Sequence, residues 1–327
     1  MEIDLALDPG SSQLRLIERV SGAIAEHPSV CAQDDPMVRA STPGLTAATQ
    51  MDHGLIRPLR AGRVTHRAAA ARIFGKAFAE HLGPLRAGPT VLLAMPGGLD
   101  SQSQAQLTGL VRTAGAREVI TVPASILAAW GCELPVNEPV GSLVLDVGAE
   151  KTTAAMTSLG GLIGQVNAPV GGRHMDKAIG AWVRKHMNLA MGRRTAEALK
   201  IRLSAERTGV AATLSLRGRD VDTRELRQST VAASGIAAAI ADVNEMVADV
   251  VRKVLASAPP EVSADISERG IMVCGGSGAA TGLTEALRET TGLAVVHTER
   301  PDHALARGAA LAMREPAILE RIIGLSL

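Results

Sequence analysis

The sequence predicts an α/β protein of two domains, each a layered set of strands and helices carrying a smaller insertion. Three observations predict it. Short apolar runs alternate with segments of helical spacing in both halves of the chain, the pattern of strands covered by helices. One pattern occurs twice: an apolar run ending in Asp-x-Gly, a few small or polar residues, then a second apolar run closed by glycine. Its copies are residues 3–12, continuing to Gly22, and residues 143–152, continuing to Gly160 and Gly161. Finally, 327 residues are too many for one small core and suit two domains of ordinary size.

In order, 2–22 reads as a strand pair, 30–61 as irregular and rich in Pro, Thr and Asp, and 64–82 as an Ala-rich helix. Residues 90–95 form an apolar strand stopped by Pro96-Gly97-Gly98. A helix over 99–114 takes Asp100 or Ser101 as its N-cap and Gly115 as its stop, followed by a strand at 118–122 and a short helix at 124–131. The first domain ends near Pro139-Val140-Gly141, giving 1–140 with an inserted lobe at about 28–60 and 141–327 with one at about 181–269. The second domain restarts with the hairpin at 143–168, then helices over 174–187 and 194–206 joined around 188–193, and a polar strand region at 210–223. A long Ala/Val-rich helix over 235–256 is ended by Pro259-Pro260. The last units are strand 270–274, the turn Gly275-Gly276-Ser277-Gly278, helix 279–289, strand 294–298 and helix 302–313. The tail, 315–327, is amphipathic through Ile318, Ile322, Ile323 and Leu325, as expected of a helix docked on its own domain.

Composition excludes several classes of function. Lys+Arg 34 against Asp+Glu 33 leaves a net charge of +1, so no global field favours nucleic acid or an anionic membrane. Aromatics are confined to Trp130, Trp182, Phe74 and Phe78, which removes the stacking platforms of single-strand binders. Cys31, Cys132 and Cys274 are scattered with no C-x-x-C pair, so neither a disulfide framework nor a zinc site is indicated, and a reducing, cytoplasmic setting is expected. No apolar stretch approaches the roughly 20 residues of a membrane-spanning helix, and no signal peptide opens the chain. A nucleotide-binding dehydrogenase is the weakest reading, because no Gly-x-Gly-x-x-Gly with a later acidic residue follows the first strand.

The repeated pattern carries the chemistry. A tight turn after a strand exposes backbone N–H groups beside a carboxylate, an arrangement that can hold phosphate and a hydrated metal ion. Asp8, Gly10, Ser11 and Ser12 make the first such turn, and Asp146 and Gly148 the second. Alone, an Asp after a strand is usually a turn residue, Gly-Gly-Ser-Gly before a helix is usually a corner, and Glu197 with Lys200, one helical turn apart, is usually a solvated pair. The two Asp-x-Gly turns, paired, suggest a nucleotide clamp between two halves of a duplicated fold.

At these residues the chain resembles the actin-like superfamily, with its duplicated ribonuclease H-like fold, and within it the MreB/Mbl family of rod-shape cytoskeletal proteins. The resemblance is strongest over 90–203 and 270–313, in stretches such as Gly115-Ala116-Arg117-Glu118-Val119, Leu134-Pro135-Val136-Asn137-Glu138-Pro139, Met175-Asp176-Lys177-Ala178-Ile179 and Arg57-Pro58-Leu59-Arg60-Ala61-Gly62. It implies ATP and Mg²⁺ as ligands. Asp8, Gly10, Ser11 and Ser12 would be the first phosphate turn, and Asp146 and Gly148 the second. Asp8 and Asp146 would hold the metal through water, with Gly172 at the second phosphate site. Gly275, Gly276 and Ser277 would make the adenosine turn, and Glu197 and Lys200 would flank ribose and base. It further implies self-assembly into filaments, partners in the cell-wall machinery, and at most weak membrane-surface contact through Leu82 and Leu85 of the loop 81–86.

Several departures bear on activity. The family's Asp-x-Gly-Gly-Gly-Thr-Thr has become Asp146-Val147-Gly148-Ala149-Glu150-Lys151-Thr152. Glu150 repels phosphate unless it turns outward, and Lys151 offsets it if it pairs with either group. The family's Gly-Asp-Glu-Met-Asp appears as Gly172-Arg173-His174-Met175-Asp176, so Arg173 is either a cation for phosphate or an ordinary surface residue. Glu-Glu-Pro-Met, with a water-positioning Glu, has become Pro123-Ala124-Ser125-Ile126, so no catalytic residue is assigned and hydrolysis is expected to be slow or absent. The lobe at 30–56 is also some ten residues shorter than the family's pattern. The expected function is a nucleotide-binding filament protein of cell shape. The alternative is a non-polymerising pseudo-nucleotidase that scaffolds envelope machinery.

Overall fold

The first hairpin is β1 (Leu5–Pro9) and β2 (Gln13–Glu18), antiparallel with Asp8 opposite Arg15. A further strand, β3 (Ile24–Pro28), extends the expected pair on the free side of β2. The two-residue strands β4 (Cys31–Ala32) and β5 (Leu55–Ile56) pair, as do β6 (Leu59–Arg60) and β7 (Arg63–Val64). Then come α1 (Arg67–Leu82), β8 (Thr90–Met95), α2 (Ser101–Thr113), β9 (Glu118–Pro123) and α3 (Ala124–Gly131). These coordinates are a computed structural model that describes residues 2–32, 55–82, 88–205 and 212–326. Most of the shortened lobe and the loop proposed for membrane contact lie outside the described residues.

The sheet order is β3-β2-β1-β8-β9, with β8 parallel to both β1 and β9. Central strands are covered on both faces, which is why every residue of β1 and β8 is buried and why these segments read as continuous apolar runs. Phe74 and Phe78 pack with Leu14, Leu16, Leu93 and Leu107 in one core. Helix α2 starts at Asp100, whose side chain accepts from the Ser103 N–H at 2.8 Å, so of the two expected caps, Asp100 and Ser101, the structure selects the first.

The second sheet is built from β10 (Ser142–Val147), β11 (Thr152–Ser158) and β12 (Gly161–Ala168), three consecutive strands where a two-stranded hairpin was expected. Next are α4 (Gly172–Met187), β13 (Leu189–Ala190), α5 (Arg193–Ala205), β14 (Thr213–Asp220), β15 (Leu226–Ala232) and α6 (Ala233–Leu255). Strands β13, β14 and β15 form a separate sheet in which β14 alternates strictly between exposed and buried residues, one face packed and one wet. The prolines at 259–260 do more than stop α6: Pro260 opens α7 (Pro260–Arg269), because proline's fixed φ suits the first helical position. Strands β16 (Ile271–Cys274) and β17 (Val295–His297) add in parallel and flank α8 (Leu283–Thr291). That helix begins later than expected, because Gly282 at φ +79° still belongs to the turn. Helices α9 (Ala304–Arg314) and α10 (Pro316–Ser326) end the chain.

The chain divides into two compact units, Met1–Val144 with Ala155–Gln165 and His303–Leu327, and Leu145–Ala154 with Val166–Asp302. In unit 1, α3 and α9 cross at two glycines. A Cβ on Gly131 would strike the Ala304 carbonyl oxygen and one on Gly308 the Leu127 carbonyl oxygen, while Arg307 Nη2 donates to Gly131 O at 3.0 Å. Leu319 and Ile322 of α10 are buried, so the tail docks through its apolar stripe. Among the described residues no helix is long and apolar enough to cross a membrane.

Candidate functional site

In unit 1, Asp8 stands on a central strand with its side chain nearly buried, and the register places Arg15 directly across from it. Arg15 Nη1 lies 3.4 Å from Asp8 Oδ2, and Arg15 Nε donates to Glu26 Oε1 at 2.8 Å. Burial pushes the Asp8 carboxyl above its ordinary pKa, and Arg15 opposes this only in part. The turn that follows is pinned from below. Ser29, wholly buried, donates its hydroxyl to Gly10 O at 2.6 Å, and its N–H donates to Ser12 O at 2.9 Å. A Cβ at Gly10 would strike the Gln13 carbonyl oxygen, so this turn admits only glycine there. Sequence reasoning missed both Arg15 and Ser29. An Arg set between Leu14 and Leu16 was the available signal for the first, and there was none for the second.

Unit 2 gathers Asp146, Gly148, Gly172, Lys200, Gly275 and Ser277. The second turn closes where the Gly148 N–H donates to Lys151 O at 2.9 Å. The loop after Cys274 folds onto the end of β10: Gly275, at φ +86°, sits so close to Asp146 that a Cβ there would strike Asp146 Oδ1 and the Val147 carbonyl oxygen. The Ser277 N–H donates to Val147 O at 2.9 Å, locking the two turns together. Gly276 has open space at its Cα, so no packing contact explains a glycine there.

Helix α4 starts against the same turn. The Gly172 N–H donates to Gly148 O at 3.0 Å and the Arg173 N–H to Ala149 O at 2.8 Å, so the turn's carbonyls cap the helix's first donors. A Cβ on Gly172 would meet Ser277 Oγ and Lys200 Nζ, which brings three of the expected residues to one point. Lys200 is buried, donates to Gly172 O at 3.0 Å and lies 2.7 Å from Asp176 Oδ1; burial raises the Asp176 pKa and Lys200 lowers it. Glu197 and Lys200 are therefore not a solvated pair. Glu197, half-buried, lies 3.4 Å from Arg193, and the charges of both act on Asp176.

The departures at Glu150 and Arg173 prove to be one feature, an ion pair between Arg173 Nη1 and Glu150 Oε1 that is nearly out of solvent. Arg173 is thus no ordinary surface residue, and Glu150 is neutralised in place. Lys151 is half-buried; desolvation draws its pKa down to about 8, against the pull of the Asp146 carboxylate. In unit 1, at the altered 123–126 segment, the Ser125 hydroxyl donates to Gln165 Oε1 at 2.6 Å beside Pro123 and Ala124.

A strand-turn-strand carrying Asp and glycine in each of two α/β units, the second with a glycine turn packed on its Asp, defines an actin-like protein. Structural comparison agrees. A crystal structure of MreB5 of Spiroplasma citri bound to ADP matches with a TM-score of 0.86 over 98% of both chains at 22% identity. The MamK double helical filament matches with a TM-score of 0.76 over 96% of this chain and 99% of the other at 18% identity. The chain belongs to the MreB/Mbl family, whose profile matches residues 2–321. It is 30% identical to the cell shape-determining protein MreB of Escherichia coli K12, over 95% of this chain and 93% of that one.

Proposed function

We propose that this protein binds a purine nucleotide through the turns at 8–12, 146–151 and 275–277, assembles with copies of itself into filaments in the cytoplasm, and contributes to cell shape. The observation that carries this reading is the packing of Gly275 and Ser277 on Asp146 and Val147, with Gly172 and Lys200 closing the same corner of unit 2. Glycines at closest approach let the backbone of one turn pack on the other where any Cβ would collide, which holds the turns in one fixed arrangement. Family membership supports it, as do a relative crystallised with ADP and another in a double helical filament. Hydrolysis is slow or absent, because Pro123 and Ala124 cannot accept a proton and the Ser125 hydroxyl is committed to Gln165. Electron microscopy of the purified protein with and without ATP, beside Asp146→Ala, tests assembly. Filaments are expected with ATP and none with the variant, and brisk phosphate release would overturn the hydrolysis claim.

A second reading, a pseudo-nucleotidase scaffold for envelope proteins, is favoured by one observation: Gly148 and Ala149 carbonyls already take the first N–H groups of α4, and Glu150 occupies the turn. Calorimetry without heat from ATP, together with a monomer in sedimentation, would select it.

A further inference from the structure

The fold family implies Mg²⁺ held through water by Asp8 and Asp146, and the residues around these carboxylates do not fit such an ion. Each Asp has a cation in its own hairpin, Arg15 on the returning strand β2 and Lys151 in the turn just before β11. In unit 1 the register sets Arg15 opposite Asp8, and the ion pair forms at 3.4 Å with Glu26 steadying the guanidinium. In unit 2 the hydrogen bond from the Gly148 N–H to Lys151 O makes 148 and 151 cross-strand partners. Side chains alternate along a strand, so Asp146 and Lys151 share a face as diagonal neighbours, about 7–8 Å apart at the backbone and within reach of a lysine's stem. The charge of Asp146 acts on Lys151, as this placement requires. The other acids of that corner are matched as well, Glu150 by Arg173 and Asp176 by Lys200. A hydrated divalent ion beside either Asp would have to displace a tethered cation of the chain or sit against it, and like charges at that range repel.

We propose that the chain's own cations, Lys151 beside Asp146 and Arg15 beside Asp8, stand where the metal would stand, so that nucleotide phosphate is bound without a divalent ion. This rests on the nucleotide reading above and narrows it to a metal-independent one. Lys151 is a point charge on a flexible stem, suited to a phosphate oxygen, and Arg173 removes the repulsion that Glu150 would exert.

Isothermal titration of ATP into the full-length protein, once in excess EDTA and once in millimolar MgCl₂, reads the outcome. Kd values within about threefold of each other are expected, and Lys151→Met should weaken binding in EDTA by about tenfold or more, with Lys151→Arg restoring most of it. Arg15→Met should open a dependence on Mg²⁺ that the parent lacks. Binding that needs MgCl₂ by about tenfold, with Lys151→Met indifferent, overturns the proposal and leaves the nucleotide reading standing. Binding in neither condition overturns both. Thermal unfolding of each variant separates loss of the site from loss of the fold.

Discussion

Glu150 is tolerated in a phosphate-type turn because Arg173, 23 residues away, neutralises it in a nearly dry contact. Removing one partner strands the other, so Arg173→Met should cost about 3 kcal/mol in urea denaturation, and adding Glu150→Gln should recover much of it. Lys151 shows the opposite balance. Its pKa in the folded chain, about 8, lies below the ordinary 10.5, so the unfolded chain binds more protons between those values and stability should rise with pH across that window. Below pH 8 the buried ammonium is a net cost of no more than about 3 kcal/mol, reduced by its partial exposure. Lys151→Met should therefore raise stability at neutral pH and flatten the rise above it, as thermal melts at pH 7, 8 and 10 would record. None of this pairing was legible in the sequence. The residues involved were singled out for departing from a family pattern, but which acid met which base depended on contacts that neither periodicity nor spacing encodes.

At the scale of elements, glycines separate structural demand from mere tolerance. Helices α3 and α9 approach so closely at Gly131 and Gly308 that a Cβ on either would enter the other helix's backbone. Gly308→Ala should lower stability by about 2–4 kcal/mol, since backbone, unlike a side chain, cannot step aside. Gly75, inside α1 with nothing near its Cα, is the control: Gly75→Ala should stabilise by about 0.5–1 kcal/mol, measured in the same chemical denaturation. Most elements were legible because their signals are local. Strand 90–95, a cap at Asp100 or Ser101 and helix 124–131 follow from composition and neighbouring residues alone. Strands β3, β13 and β15 were not, being short or polar segments that are strands by virtue of the partner they pair with.

At the scale of the molecule, the C-terminal residues return to the unit in which the chain begins, and α10 packs there through Leu319 and Ile322. Truncating that contact as Leu319→Ala should cost about 2–4 kcal/mol in global unfolding, a loss a frayed appendage would not produce. The sequence by itself determined the α/β class, the duplicated Asp-x-Gly turns and the glycine corner at 275–278, because hydrophobic period and turn chemistry are written residue by residue. The tertiary structure alone decided that Gly275 rests on Asp146, that Lys200 turns inward to Asp176, and that Glu150 and Arg173 cancel. Those contacts join residues far apart in the chain, and their existence depends on how strands register and helices dock, which no local pattern carries.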